Sequence, residues 1–251
     1  MMRGLAVGLA MMAFVGEAAA KSEHPAQCRV AEHLAVANFP LPHTAAGIAS
    51  GKLDVLVLGA GSSTLPGPNG ANAAYPARLQ QALAEALPGV TVKVATDVRA
   101  RRTAADMVKT LRADVAAAKP ALVIWQTGTV DAMLGVDPDA FSETLEQGIG
   151  IAQAAGADLV FVNAQYSPRT ESMIALGTYA EDMLWVAVQH GVPLFDRFAI
   201  MKLWAELGTF DFTTATNKLD MAQHVHDCIG RLLSDLVVEA VKPGGPQANG
   251  R

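Results

Sequence analysis

The residue best suited to covalent chemistry is Ser62, in the run Gly59-Ala60-Gly61-Ser62-Ser63-Thr64 that closes an apolar segment. Three readings of this run compete. A dinucleotide fingerprint needs a third glycine and an immediate helix for the pyrophosphate, but position 64 is Thr, and Pro66 and Pro68 follow. A tight glycine turn would instead present the serine hydroxyl at the edge of a sheet, beside backbone N–H groups able to hold an oxyanion. The third reading is an ordinary turn in which Ser62, Ser63 and Thr64 cap local backbone.

A serine nucleophile needs a base. His224 and His226 stand near the C-terminus, and Asp220 lies four residues before His224, on the same face of a helix. On a wheel over 219–240 the apolar arc holds Met221, Val225, Ile229, Leu232 and Leu236. His224 falls roughly 120° and His226 roughly 80° from its centre. His224 therefore reads as solvated and His226 as a boundary residue. His190 ends a helix and suits a C-terminal cap. His24, His33 and His43 have no metal-ligand spacing, so neither a metal nor a cofactor is expected. Gly128-Thr129-Val130-Asp131 forms a second glycine turn. Asp131, with Arg99, Arg101 and Arg102, suggests either a charged pocket or an ordinary surface ion pair.

These residues need elements to place them. Short runs rich in Val, Leu and Ile at Leu53–Leu58, Thr91–Ala95, Ala121–Trp125, Leu159–Asn163 and Val192–Phe195 read as strands buried on both faces. Helix-period segments lie between them at Tyr75–Leu87, Thr103–Ala118, Ala140–Ala155 and Ser172–His190. A short helix is expected at Val30–Asn38 and a final one at Asp220–Val241. Five alternations of strand and helix predict a parallel, doubly wound α/β sheet, with ligands at the carboxyl ends of its strands. Residues 242–251 read as a disordered tail.

Ser62 in its turn, Tyr75-Pro76-Ala77-Arg78-Leu79, Thr103-Ala104-Ala105-Asp106-Met107 and Trp125-Gln126-Thr127-Gly128-Thr129 together resemble the SGNH, or GDSL-like, serine hydrolases. The resemblance spans nearly all of the chain after residue 20. It implies a flavodoxin-like three-layer α/β/α sandwich with a five-stranded parallel sheet, and Ser62 after Gly61 as nucleophile. It also implies an oxyanion hole from the backbone N–H groups of Ser62 and of position 101. The chain departs from the family at several places. Position 101 is Arg where the family has a glycine. The family's donor asparagine is Val130, a loss worth about 2.7–4 kcal/mol of transition-state stabilisation. The gapless alignment puts Asn217 at the family's aspartate and Asp220 at its histidine, leaving His224 or His226 to act as base.

Composition narrows the setting. The 251 residues are 51% hydrophobic and 17% charged, with net charge −5. This excludes a disordered chain and argues against a nucleic-acid partner. Arg3, the apolar run Leu5–Val15 and Ala18-Ala19-Ala20 read as a signal peptide cleaved near Ala20. Cleavage leaves 231 residues, still at −5 and without a membrane span. An exported chain could pair Cys28 with Cys228, the alternative being two buried thiols. The expected function is an exported ester hydrolase acting on a small or glycan ester, with glycan acetyl groups as one candidate. The alternative is a non-catalytic relative that binds a glycan, a small ligand or a partner protein.

Overall fold

The computed structural model describes residues 24–213 and 218–242. The expected signal segment 1–20, Asn217 and nearly all of the expected C-terminal tail lie outside them. Five strands form one parallel sheet in the order β2-β1-β3-β4-β5. They are β1 (Lys52–Gly59), β2 (Thr91–Val98), β3 (Leu122–Gln126), β4 (Asp158–Val162) and β5 (Leu194–Phe195). The helices are α1 (Pro42–Ala49), α2 (Gly70–Ala73), α3 (Tyr75–Ala86), α4 (Ala104–Ala118), α5 (Thr129–Leu134), α6 (Pro138–Ala154), α7 (Pro168–Glu171), α8 (Leu176–His190), α9 (Arg197–Glu206) and α10 (Lys218–Ala240).

Side chains alternate along the central strands and so build two cores. Leu53, Val55 and Val57 of β1, with Leu122 and Ile124 of β3, pack under α3, α9 and α10. Leu56, Leu58, Val123 and Trp125 point the other way, under α4, α6 and α8. This is the expected α/β/α sandwich. The strands β1, β3 and β4 are buried on both faces. β2 is an edge strand with exposed and half-buried residues, so it departs from the buried pattern expected of it.

Two local expectations fail. Val30–Asn38 forms only a 3-10 turn at Glu32–Leu34, and the helix comes later, at Pro42–Ala49. Pro42 at its first position is preorganised for a helix start, and Asp158 accepts from Thr44 N–H and Thr44 Oγ at 2.7 and 2.8 Å. Helix α9 was not anticipated, because Arg197 and Lys202 blur its apolar period. Cys28 and Cys228 form a disulfide that staples the N-terminal segment to α10. His24 pairs with Asp235 on the same helix.

The chain runs from β1 outward to β2, then returns to place β3 on the other side of β1. The carboxyl ends of β1 and β3 thus flank the switch point, where such sheets bind ligands.

Candidate functional site

Ser62 stands at that switch point. The chain leaves β1 through a 3-10 turn, Gly61–Ser63. A Cβ on Gly59 would lie 2.2 Å from Ser63 Oγ, so this tight turn requires glycine there. Ser62 is half-buried, and its Oγ–H donates to Gln126 Oε1, at the end of β3, at 3.0 Å. Ser63 Oγ donates to the same oxygen at 2.6 Å and meets the Tyr75 hydroxyl at 3.1 Å. Gln126 is fully buried, and its Nε2 has no partner among the described residues.

Arg197, at the start of α9, closes the cluster. Its NH1 donates to the Ser62 carbonyl at 3.0 Å and its NH2 to Gln165 Oε1 at 3.3 Å. Its guanidinium lies 5.7 Å from the centre of the Tyr75 ring. Arg197 is 1% exposed, its Nε is unpartnered, and no carboxylate pairs with it among the described residues. Burial pushes it down to about 10, so it remains a cation at neutral pH. Burial also pushes the Tyr75 phenol up.

The candidate bases occupy other places. His226 is buried, and its Nδ1 accepts the Tyr75 N–H at 2.9 Å. That N–H belongs to the first turn of α3, which has no intrahelical acceptor for it, so His226 caps a neighbouring helix. Burial, with the charge of Arg197, lowers it to about 3. The ring lies tilted against Tyr75, 5.9 Å between centres. His226 is therefore deeper than the boundary position expected of it. His224 is exposed, 4.0 Å from a still more exposed Asp220. No histidine hydrogen-bonds Ser62 among the described residues.

The second glycine turn is built around Asp131. Gly128 stands at φ +95° before α5. Asp131 is 1% exposed and accepts from Ala104 N–H at 2.9 Å, Thr127 Oγ at 3.2 Å and Gly128 N–H at 3.3 Å. Burial raises its acid range despite these donors. Asp131 thus ties the starts of α4 and α5 together. It forms neither the charged pocket nor the surface pair expected with the arginines, because two of them have another partner. Arg102 and Arg99 both pair with Asp97, at 2.6 and 2.8 Å. Val130 is half-buried against the second core. Arg101 adopts φ +62°, the left-handed conformation that a glycine would hold without strain. The turn containing it touches the serine turn, since a Cβ on Gly61 would lie 3.8 Å from Ala100.

A groove of about 380 Å³ lies beside the serine turn, between α3 and the free edge of β2. Thr64, Asn72, Gln80 and Thr96 supply much of its polar lining, and Ser63 and Val98 border it. Gln126, Tyr75 and Arg197 are the site residues that sequence reasoning missed. Gln126 is the one polar residue closing an apolar strand, directly before a glycine turn, and that was its available signal.

Residues 27–243 match the model of the non-GDSL lipase-like family. A comparison with curated proteins finds no match. Several solved structures share the fold. TesA is 22% identical over 72% of this chain and 99% of its own, with a TM-score of 0.56. A catalytic mutant of Axe2, an acetylxylan esterase from Geobacillus stearothermophilus, is 16% identical over 75% and 94%, with a TM-score of 0.57. The psychrotrophic esterase EstA from Pseudoalteromonas sp. is 16% identical over 75% and 97%, with a TM-score of 0.56. At such identities the likeness is one of fold. The family match is broader, spanning nearly all of the described residues, and it shows that the chain belongs to the non-GDSL lipase-like family.

Proposed function

We propose that this chain is an exported protein that keeps the esterase fold and its serine turn but binds an ester-bearing ligand rather than turning it over efficiently. The ligand is a glycan or a small molecule, and acetyl groups are the candidate ester. One observation carries this reading: the Ser62 hydroxyl donates to the Gln126 amide oxygen, not to an imidazole. An amide oxygen is too weakly basic to take the serine proton near neutral pH. His226 is a poor substitute, because Nδ1 already accepts a backbone N–H and burial disfavours its protonation. Val130 in place of a donor weakens oxyanion stabilisation further. Export rests on the leader-like first twenty residues and agrees with the Cys28–Cys228 bridge.

Hydrolysis by Ser62, with His224 or His226 as base, is the second reading. It is favoured by the retained hydroxyl at the switch point, half-exposed beside the turn carrying Arg101. The test is hydrolysis of p-nitrophenyl acetate by the purified protein and its Ser62→Ala variant. Equal rates are expected. A Ser62-dependent rate well above that of the variant would overturn the binding reading in favour of the hydrolase.

A further inference from the structure

The turn after β2 combines three features that the reading above leaves unused. First, its charge is one-sided. Between Asp97 and Arg102 stand one carboxylate and three guanidinium groups, and Asp97 is consumed by Arg99 and Arg102. Arg101 is exposed, with no hydrogen bond or ion pair among the described residues. The buried Arg197 adds a second cation without a carboxylate beneath the adjoining serine turn. This concentration of positive charge occurs in a chain whose net charge is −5.

Second, Arg101 is strained. A non-glycine residue at φ +62° costs about 1–2 kcal/mol. Among the described residues no hydrogen bond or ion pair of its side chain offsets that cost. Backbone strain of this kind persists where the residue is used.

Third, the groove between α3 and β2 ends at Val98, where the chain enters this turn. Among the described residues no charged side chain lines the groove. Its amide and hydroxyl groups, from Thr64, Asn72, Gln80 and Thr96, suit a hydroxyl-rich ligand. Its volume of about 380 Å³ is within the range of small-molecule sites.

We propose that this groove and the arginine turn at its end bind an anionic saccharide, with the saccharide hydroxyls on the polar lining and its carboxylate on Arg101. The proposal specifies the ligand class for the binding reading above, and shares its location. It does not depend on Ser62 being inert. The fixed fork of Arg101 matches a carboxylate bidentately, while Arg197 acts through its field across a low-dielectric interior.

The test is calorimetric titration of the purified protein with trigalacturonate, its neutral methyl ester and inorganic phosphate. Trigalacturonate is expected to bind, with affinity falling as salt rises. The methyl ester and the Arg101→Gln variant should each bind about tenfold more weakly. Arg101→Lys keeps the charge but loses the fork, and should bind more tightly than Arg101→Gln and more weakly than the unsubstituted protein. Equal binding of the acid and its ester, unchanged affinity in Arg101→Gln, or no saturable binding at millimolar trigalacturonate would overturn the proposal. Phosphate matching trigalacturonate with the same Arg101 dependence would overturn its saccharide part. A Ser62-dependent hydrolysis rate would instead overturn the preceding reading and leave this one standing.

Discussion

His226 illustrates how a residue type with obvious chemical use can be given a structural one. Its imidazole is 4% exposed, caps the first turn of α3 through Nδ1 and lies near the Arg197 cation. Folding therefore lowers it from 6.5 to about 3. The unfolded chain binds a proton at this residue below 6.5, while the folded chain does so only below about 3. The stability it contributes is fully present above the unfolded value and is lost as pH falls through the folded one. Unfolding in urea across this window should show wild-type stability falling by up to about 1.4 kcal/mol per pH unit from this residue. His226→Gln keeps an acceptor for Tyr75 N–H and should flatten that slope. An unchanged slope would mean that His226 is solvated. Sequence spacing marked this histidine as a boundary residue. The wheel describes one helix and carries no information about α3, whose first N–H fixes the ring.

At the scale of elements, α3 and α10 form the packing that holds the site's outer wall. Gly230 lies at their crossing. A Cβ there would stand 2.5 Å from Arg78 Cβ and 2.8 Å from Leu79 N, and the second of these is backbone and cannot swing aside. Gly230→Ala should therefore cost about 1–3 kcal/mol, read as a lowered urea midpoint. A neutral result would show that the helices can separate without loss. The strands were legible as elements because buried parallel strands are continuous runs of Val, Leu and Ile. Helix α9 was not, since Arg197 and Lys202 interrupt its period. Those two cations have different fates: Lys202 meets Glu171 near the surface, whereas Arg197 is fully buried on Ser62 and Gln165. Only packing against β1 and α3 separates these outcomes.

For the whole molecule, the disulfide is the covalent long-range constraint among the described residues. It joins residues 200 apart in sequence and attaches the N-terminal segment to α10. In the chain-entropy model, closing so long a loop limits the unfolded state by about 5 kcal/mol. Replacing both cysteines by alanine should lower stability by about 2–5 kcal/mol, measured by urea unfolding. Equal stability of the variant would mean that the segment is held by packing and by the His24–Asp235 pair alone. Among the described residues no helix is long and apolar enough to cross a membrane.

By itself the sequence determined the alternation of strands and helices, the five-stranded parallel sheet and the placing of Ser62 after its first strand. These follow from local apolar period and from glycine turns, which short windows of chain encode. The family resemblance, not local pattern, aligned Arg101 with a glycine, and in the structure Arg101 stands at φ +62°. The partners were decided only by tertiary structure. Ser62 meets Gln126 because the sheet order sets β1 beside β3. Asp131 turns inward to helix N-termini, while Asp97 takes Arg99 and Arg102, two of the three arginines that spacing had associated with Asp131. Hydrogen-bond partners at the site are up to 151 residues apart, and their pairing depends on sheet order and helix packing rather than on any local pattern.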